Sequence, residues 1–490
     1  QLFGVQWTPD TAGPLKMRIE VLDNDDILTE AEREIKVSPP DGYALSVRKA
    51  NHVERDGERF FTPIDVSAGK GPIDVTVHAD ERIVGNASSD GAQAVVEAEP
   101  WFGYYDVSVD LGTFRYDRLL VATVVETRDA ELLVNGEPFL IKGTNVHGMD
   151  RQSPARTAAR MRVMRDLGFN MWRGDYPARW QVDLAYELNT AYTVLAPFSC
   201  IETEEIFGRQ AGPPMATSRE MTRLFVQTYR DSAGVLLWNS CNEVEGETAD
   251  FLWSQYPLYK RLDEYERPVH YANLYGQYYW QGQDAMGVNV YFGKGQHAVI
   301  RRPNVQKTIE VGREHGKPVF YCEFNSWWGA IQSTGAEAFR DLYVWGIDQG
   351  MSGGFQYEDH DTDRHPGVYD QGLNTHKIHN DAIREAFADA KVRVADSQPW
   401  GILLQIENKR PFHLREVKLD LAVSGRELET LKLPDITPKG TEGGVKEVTL
   451  PIPQNARGPA YSVEGDLTFI THFGFRCRVP VRDIAQMTRE

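Results

Sequence analysis

The chain has 490 residues, of which 41% are hydrophobic and 25% are charged, and its formal net charge at pH 7 is −18. This composition is typical of a globular protein with a large core, and the length fits about three domains. The acidic balance argues against nucleic acid or an anionic membrane surface as the main partner, because both carry negative charge. No apolar run approaches the ~20 residues that a membrane-spanning helix needs.

Neither the first residue nor the cysteines identify the cellular compartment of the protein. The sequence begins with Gln1 and has no signal-peptide pattern, so we expect that it starts either at a processing site or inside a longer gene product. Because residues 1–37 hold too few strands to close a sandwich, the expected partner is a missing upstream segment or, in a homo-oligomer, a second copy of the chain. The cysteines are widely spaced and match no metal-ligand pattern, which favours free buried thiols. They do not decide between a cytoplasmic, periplasmic or secreted protein. The four cysteines are Cys200, Cys241, Cys322 and Cys477.

Two parts of the sequence have the period-two alternation of β-strands. We predict the end of an incomplete β-sandwich at residues 1–40, a complete sandwich at 41–129 and a C-terminal sandwich at 394–490. Immunoglobulin-like sandwiches have short strands at this spacing, separated by turn residues. The strand candidates are 16–22, 73–78, 105–111, 401–407, 416–422, 445–452 and 466–470.

Between these parts, strand patterns alternate with helical patterns. A hairpin at 132–143 leads into the first strand, and helical periodicity at 155–167 follows it. Eight strands over roughly 250 residues match the size of a closed parallel barrel, so we predict a (β/α)₈ TIM barrel at 130–393 and an α/β fold class. The barrel strand candidates are 139–145, 169–173, 192–198, 234–238, 268–272, 286–291, 318–324 and 351–357.

Two of these strand-like runs end in a carboxylate. The run at 236–243 ends in Asn242-Glu243, and the run at 318–324 has Glu323 near its end. Catalytic side chains of α/β barrels lie at the C-terminal ends of strands, and two carboxyl groups at one glycosidic bond can act as acid/base and nucleophile. The alternative is that either glutamate caps a helix just past its strand.

On the fourth and seventh predicted strands, these runs resemble glycoside hydrolase family 2, which contains β-galactosidases, β-glucuronidases and β-mannosidases. Asn242-Glu243, preceded by Trp238, is similar to the family's acid/base motif, and Glu323 lies where the family has its nucleophile. The resemblance covers most of residues 130–390. It implies that Glu243 is the acid/base and Glu323 the nucleophile of a retaining enzyme that requires no cofactor.

The same resemblance implies a set of substrate-binding residues around the two carboxylates. Arg173 would keep Glu323 ionised, and Tyr291 would donate its hydroxyl to Glu323; the alternatives are a structural ion pair and a core tyrosine. Asn242 would donate to the sugar 2-hydroxyl. Asn145 and His147, after the first barrel strand, would line the sugar pocket, although a structural histidine is an alternative.

The residues that read the sugar depart from the family pattern. Tyr357 stands where the family usually has a tryptophan platform, and Trp327 and Trp328 could replace that platform or simply pack. The family's His in Arg-Thr-Ser-His-Tyr-Pro is absent after Arg173, and no Asn-x-Lys of the kind that reads a glucuronate carboxylate is found. These departures leave the substrate less defined than the reaction.

An acidic run follows the eighth predicted strand. Carboxylate oxygens are the ligands that Ca²⁺ and Mg²⁺ prefer, so a metal could bind near Glu358, Asp359 and Asp361. The same residues could bind sugar hydroxyls, or they could form a solvated acidic loop.

The sequence therefore predicts a retaining, exo-acting β-glycoside hydrolase, β-galactosidase- or β-glucuronidase-like, that cleaves oligo- or polysaccharides. One alternative is a non-catalytic carbohydrate-binding or scaffold protein built on a hydrolase barrel. The other is an endo-acting hydrolase or a transglycosylase of the same clan. The intact set of candidate site residues argues against the first, because an idle site has no physical reason to keep them. The shape of the pocket would distinguish the second alternative from an exo-acting hydrolase.

Overall fold

The computed structural model divides the chain into two compact units, Gln1–Val124 and Val125–Glu490. For residues 11–37, 175, 215–218 and 274 only the backbone is described. The residues that the structure describes are 11–23, 26–37, 44–57, 59–112, 114–146, 152–175, 177–196, 215–243, 254–274, 282–293, 295–327, 331–362, 364–370, 373, 377–398, 401–452, 460–471, 474 and 476–486.

The first unit consists of two mostly antiparallel sheets around one hydrophobic core. One sheet has the order β2-β1-β10-β9-β6-β7, and the other contains β3, β5, β4 and β8. Alternate residues of β6 are buried, and they pack with β5 and β9 in a single hydrophobic cluster. The strands are β1 (Thr11–Asp23), β2 (Asp26–Val37), β3 (Ser46–Lys49), β4 (Glu54–Asp56), β5 (Arg59–Ser67), β6 (Ile73–Ala79), β7 (Arg82–Ser89), β8 (Gln93–Ala98), β9 (Tyr104–Asp110) and β10 (Arg115–Val121).

The hairpin of β1 and β2 extends the six-stranded sheet of this unit. Thr11 and Ala12 pair in parallel with Arg115 and Tyr116 of β10, and the rest of β1 pairs with β2. The strands before residue 40 thus continue a sheet of the following segment. The predicted division at residue 40 and the immunoglobulin-like topology stay predictions.

The second unit contains the predicted barrel. Its eight parallel strands pair in chain order, and β21 pairs with β14, so the barrel is closed. Each strand overlaps one of the eight predicted strands, which confirms the TIM barrel. A short sheet of β11 (Val125–Arg128), β12 (Glu131–Val134) and β13 (Glu137–Pro138) precedes it. The barrel strands are β14 (Ile141–Asn145), β15 (Met171–Asp175), β16 (Ala191–Leu195), β17 (Val235–Asn242), β18 (Val269–Leu274), β19 (Ala285–Phe292), β20 (Val319–Ser326) and β21 (Gly353–Gln356).

Glycine at position 353 permits the barrel to close. Gly353 has φ +86°, and a Cβ at this position would lie 2.1 Å from the Ile141 carbonyl oxygen of β14. A larger residue would therefore push β21 away from its partner and strain the backbone. The seam between the first and last strands depends on this residue.

Helices surround the barrel. Ser153 caps the first of them by accepting a hydrogen bond from the Arg156 N–H, and Pro154 occupies its first turn. No helix within the described ranges is long and apolar enough to cross a membrane. The helices are α1 (Pro154–Asp166), α2 (Arg179–Glu187), α3 (Met215–Tyr229), α4 (Tyr256–Leu262), α5 (Arg302–Glu314), α6 (Gln332–Glu337), α7 (Trp345–Asp348) and α8 (Ile378–Phe387), with a 3₁₀ turn at Ala298–Arg301 and a π-helical segment at Ala338–Val344.

Two further sheets follow the barrel, as the alternation at 394–490 predicts. One has the order β22-β23-β27, and the other has the order β25-β24-β28-β29 with β26 beside β24. These strands are β22 (Ala390–Gln398), β23 (Gly401–Asn408), β24 (Leu414–Val423), β25 (Arg426–Glu427), β26 (Leu431–Lys432), β27 (Val445–Leu450), β28 (Ala460–Thr471) and β29 (Arg476–Gln486).

A buried ionic cluster joins the barrel to these sheets. The Lys142 Nζ of β14 lies 2.5 Å from Asp389 Oδ2, and Arg410 Nε donates to Asp389 Oδ1 at 2.9 Å. Burial by itself would raise the pKa of Asp389, but the charges of Lys142 and Arg410 outweigh that effect and hold it below the usual value. One carboxylate therefore bridges two cations from two parts of the unit.

The Asp389→Asn variant should be less stable by about 3 kcal/mol, because it leaves two buried cations without a counter-charge. Urea unfolding at pH 7 measures this difference. Asp381→Asn is the control, since Asp381 forms an exposed pair with Arg384 and its loss should cost less than about 0.5 kcal/mol. Equal stability of the two variants would contradict the assigned role of the cluster.

Candidate active site

The two candidate carboxylates lie at the C-terminal end of the barrel. Glu243 directly follows β17, and Glu323 lies in β20. The predicted strand at 318–324 is too short, because β20 continues to Ser326. The pairing of β19 with β20 shifts between Val288 and Asn289, and this irregularity places Asn289 opposite Glu323.

Glu323 is a buried carboxylate with two strong donors. Its side chain is 7% exposed. Arg173 Nη1 of β15 donates to Oε1 at 2.6 Å, and the Tyr291 hydroxyl of β19 donates to Oε2. Burial and the negative charge of Glu323 raise the pKa of Tyr291 well above its usual value, so this hydroxyl stays a donor. The guanidinium supplies the counter-charge that a buried carboxylate requires.

Arg173 is the centre of a wider network. Its Nε donates to Asn239 Oδ1 at 2.8 Å, Nη1 also donates to Asn145 Oδ1 at 2.5 Å, and Nη2 donates to Asn242 Oδ1 at 2.7 Å. The planar guanidinium has five N–H donors in a fixed geometry, so it orients each of these side chains. Arg173 therefore fixes Glu323 and three asparagines from β14 and β17 at once.

Glu243 is held differently. Asn289 Nδ2 donates to Glu243 Oε1 at 2.7 Å, and the Glu243 N–H donates to the Ala272 carbonyl oxygen at 2.8 Å. The residue is half-buried and has φ +51°, in the left-handed region that side-chain-bearing residues rarely adopt. Such backbone outliers concentrate at functional sites, where the surrounding contacts maintain them.

Four aromatic rings form a wall beside Glu323. The Tyr291 ring centroid lies 5.1 Å from that of Trp327, 5.8 Å from that of Tyr357 and 5.3 Å from that of His365. His365 also packs against Trp327 and Tyr357 at 4.8 and 4.9 Å. Trp327 is 44% exposed, and the Arg364 guanidinium lies 5.6 Å from its ring. An exposed aromatic face beside the carboxylates is suited to stacking on an apolar sugar face.

The structure brings together most of the predicted site residues. Those that share this network or wall are Asn145, Arg173, Asn242, Glu243, Tyr291, Glu323, Trp327 and Tyr357. His147 and Trp328 lie outside the described residues. Cys241 and Cys322 are buried and form no disulfide, as predicted, and burial raises the pKa of Cys322 to about 12. Cys477 also forms no disulfide but is only half-buried, and Cys200 lies outside the described residues.

Three residues of the site were missed at the sequence level. Asn289 is a single polar residue inside an apolar barrel strand, and Asn239 with Ser240 interrupts another, so these interruptions were the available signal. His365 had no such signal, because it lies beyond the strands and only the folded chain places it among the aromatic rings.

Two carboxylates of the acidic run after β21 already form ion pairs with basic side chains. The Asp359 carboxylate accepts hydrogen bonds from Arg160 and Tyr369, and it lies 2.8 Å from His360 Nδ1. Lys377 Nζ lies 2.5 Å from Asp361 Oδ2. Glu358, Asp359 and His360 have donor atoms close enough to share an ion, but Arg160 already compensates Asp359. These partners make Asp359 and Asp361 a poor fit for a divalent cation, and the metal site stays a prediction.

The comparisons support the fold. No protein-family model and no curated protein matches the sequence. A β-glucuronidase from an uncultured Clostridium species superposes with a TM-score of 0.53 at 16% identity, over 70% of this chain and 67% of that one. A Ruminococcus gnavus β-glucuronidase in complex with uronic deoxynojirimycin gives a TM-score of 0.54 at 15% identity, over 70% and 68%. The chain shares this fold.

A buried histidine lies close beneath the site. His270 of β18 has its Nε2 2.8 Å from Thr193 Oγ1 and its ring 4.9 Å from that of Phe320. Burial and the positive charge of Arg173 lower the pKa of His270 well below its usual value. The folded protein therefore keeps this imidazole neutral at a pH where the unfolded chain binds a proton.

This difference predicts a loss of stability in mild acid. The unfolded chain takes up a proton at His270 as the pH falls below about 6.5, so the free energy of unfolding should decrease there by up to ~1.4 kcal/mol per pH unit. In His270→Asn this contribution is absent. Urea unfolding between pH 7.5 and 5.5 should give a shallower slope for this variant, with the exposed His297→Asn as the control. Parallel curves for all three proteins would contradict the assignment.

Proposed function

We propose that the protein is a retaining β-glycoside hydrolase. The observation that carries this proposal is the arrangement of Glu323 between Arg173 and Tyr291, with Glu243 held by Asn289 of β19, the strand next to that of Glu323. One carboxylate is thus kept buried and charge-compensated, and the other is half-buried at the end of β17, which β18 and β19 separate from β20 around the barrel. This is the division of roles that a nucleophile and an acid/base require.

In the proposed reaction, Glu323 attacks the anomeric carbon while Glu243 gives its proton to the leaving oxygen, and a glycosyl ester forms on Glu323. Glu243 then takes a proton from water, and the resulting nucleophile cleaves the ester with a second inversion, so configuration is retained. Arg173 and Tyr291 orient the nucleophile. Asn242 contacts the sugar 2-hydroxyl. Each step uses only carboxyl groups and water, so no cofactor is needed.

The proposed substrate is the terminal sugar of an oligo- or polysaccharide. The aromatic wall of Tyr291, Trp327, Tyr357 and His365 offers a surface for a sugar ring. The neighbours in fold are named as β-glucuronidases, and the Ruminococcus gnavus protein was solved with D-glucaro 1,5-lactone, which supports a saccharide ligand. Galactosides and glucuronides are both retained as substrates to test. A protein that only binds carbohydrate would need the wall, but it would not need the Arg173–Glu323 pair.

The proposal predicts that Glu323→Ala abolishes hydrolysis of aryl β-glycosides. We expect wild-type protein to cleave at least one of the galactoside, glucuronide and mannoside in such a panel, and the variant to lower kcat by about 10⁴-fold, because the nucleophile is lost. Glu314→Ala, an exposed substitution on α5, is the matched control and should keep full activity. A fully active Glu323→Ala would refute the assignment.

The stereochemistry of the product tests the mechanism separately. We expect proton NMR during early turnover to show the β-anomer of the released sugar, since two inversions restore the starting configuration. Initial release of the α-anomer would rule out double displacement while leaving hydrolysis itself in place.

The contacts of the site also predict which kinetic constant each substitution changes. Tyr291→Phe removes a hydrogen bond to a charged group and should lower kcat about 10- to 100-fold with little change in KM. Trp327→Ala removes a stacking surface and should raise KM about 3- to 10-fold. Trp180→Ala on α2, which removes another partly exposed tryptophan, serves as the control. A Trp327→Ala variant with wild-type KM would exclude this residue from the sugar platform.

A further inference from the structure

We infer that the protein has a second ligand site, at the end of the barrel opposite the candidate active site, and that this site binds a small organic phosphate or sulfate ester. The site is a cavity of about 440 Å³, a size typical of small-molecule pockets. It does not depend on the proposed hydrolase function.

The cavity lies between the barrel and the sheet that contains β24, β28 and β29. On the barrel side it is lined by Leu140 and Asn170, which precede β14 and β15, so it faces the N-terminal ends of the strands. On the other side, Lys418 pairs with Thr468 and Arg476 pairs with Ile470 in the sheet register. All four of these sheet residues line the cavity.

The charge of the lining favours an anion. Six basic and three acidic residues line the cavity, an excess of positive charge in a chain whose net charge is −18. Positive clefts of this kind concentrate anionic ligands. The basic residues are Lys142, Arg165, Arg384, Lys418, Arg476 and Arg478, and the acidic ones are Asp166, Asp389 and Glu416.

Most of these charges already have partners. Lys142 pairs with Asp389, Arg165 with Asp166, Arg384 with Asp381, and Arg478 with Asp466. By contrast, the exposed side chains of Lys418 and Arg476 have no hydrogen bond or ion pair in the described part of the chain. The Glu416 carboxylate also has none, and it is the acidic group that a bound anion would face. Lys418 and Arg476 are therefore the two cations available to an anionic ligand.

The apolar side chains that line the cavity favour an organic anion over an inorganic one. Leu167, Phe169, Phe412 and Phe469 line it and are 2–5% exposed in total, so a ligand would contact the small accessible edges of these apolar side chains. Apolar contact with a carbon skeleton adds affinity that inorganic phosphate cannot gain. Phosphate and sulfate groups are among the oxyanions that arginine and lysine bind.

Isothermal titration of the whole protein with glucose 6-phosphate, glucose 6-sulfate and inorganic phosphate tests this site. We expect one of the two esters to bind with a Kd below about 1 mM and at least ~10-fold more tightly than inorganic phosphate. Lys418→Ala/Arg476→Ala should weaken that binding at least ~10-fold. The matched control is Lys432→Ala/Arg482→Ala, which removes two exposed cations from β26 and β29 outside the cavity, and it should bind like wild type.

Three results would overturn the proposal. The first is the absence of binding of either ester up to ~10 mM. The second is equal affinity in the two double variants, which would mean that the ester binds elsewhere, such as at the candidate active site. The third is inorganic phosphate binding as tightly as the esters, since the apolar floor would then contribute nothing. The ester that binds more tightly identifies the ligand class as a phosphate or a sulfate.

Discussion

The candidate site depends on the ion pair and the hydrogen bonds that the Arg173 guanidinium forms. This side chain is 1% exposed and bonds to Glu323, Asn145, Asn239 and Asn242, which come from three other strands of the barrel. In a buried environment each of these acceptors would be costly without its donor, and the carboxylate would be costly without its counter-charge. The polar side chains at the top of the barrel therefore depend on one another for their hydrogen bonds and charge compensation.

Among these side chains, the two carboxylates differ in their position on the backbone. Glu323 belongs to a strand with neighbours on both sides, whereas Glu243 lies just past its strand in a left-handed conformation. A residue at a strand tip can change its side-chain orientation at small cost to the barrel. In the proposed reaction, the half-buried position of Glu243 would suit the group that delivers a proton and later removes one, and the buried position of Glu323 would suit attack at one carbon atom.

The barrel and its two carboxylates were predictable because they depend on local patterns. Apolar runs of strand length marked all eight barrel strands, and the ends of two of these runs placed Glu243 and Glu323 at the C-terminal end of the barrel. The roles of Asn239 and Asn289 were not predictable, because an amide in a strand does not specify which distant side chain it meets. The end of β20 was missed for a similar reason, since its pairing with β19 extends the strand past Glu323. The pairing of β1 with β10 likewise joins segments far apart in sequence.

The ionic cluster of Lys142, Asp389 and Arg410 has a consequence for modularity. Lys142 belongs to the barrel strand that also provides Asn145, whereas Arg410 belongs to the segment between β23 and β24. A barrel separated from the following sheets would keep Lys142 and Asp389 but lose Arg410, and the apolar and charged surface beneath its strands would become exposed to water. The contact of Arg410 with Asp389 therefore couples the barrel to the sheets that follow it, so that a replacement of those sheets would also change the charge around Asp389.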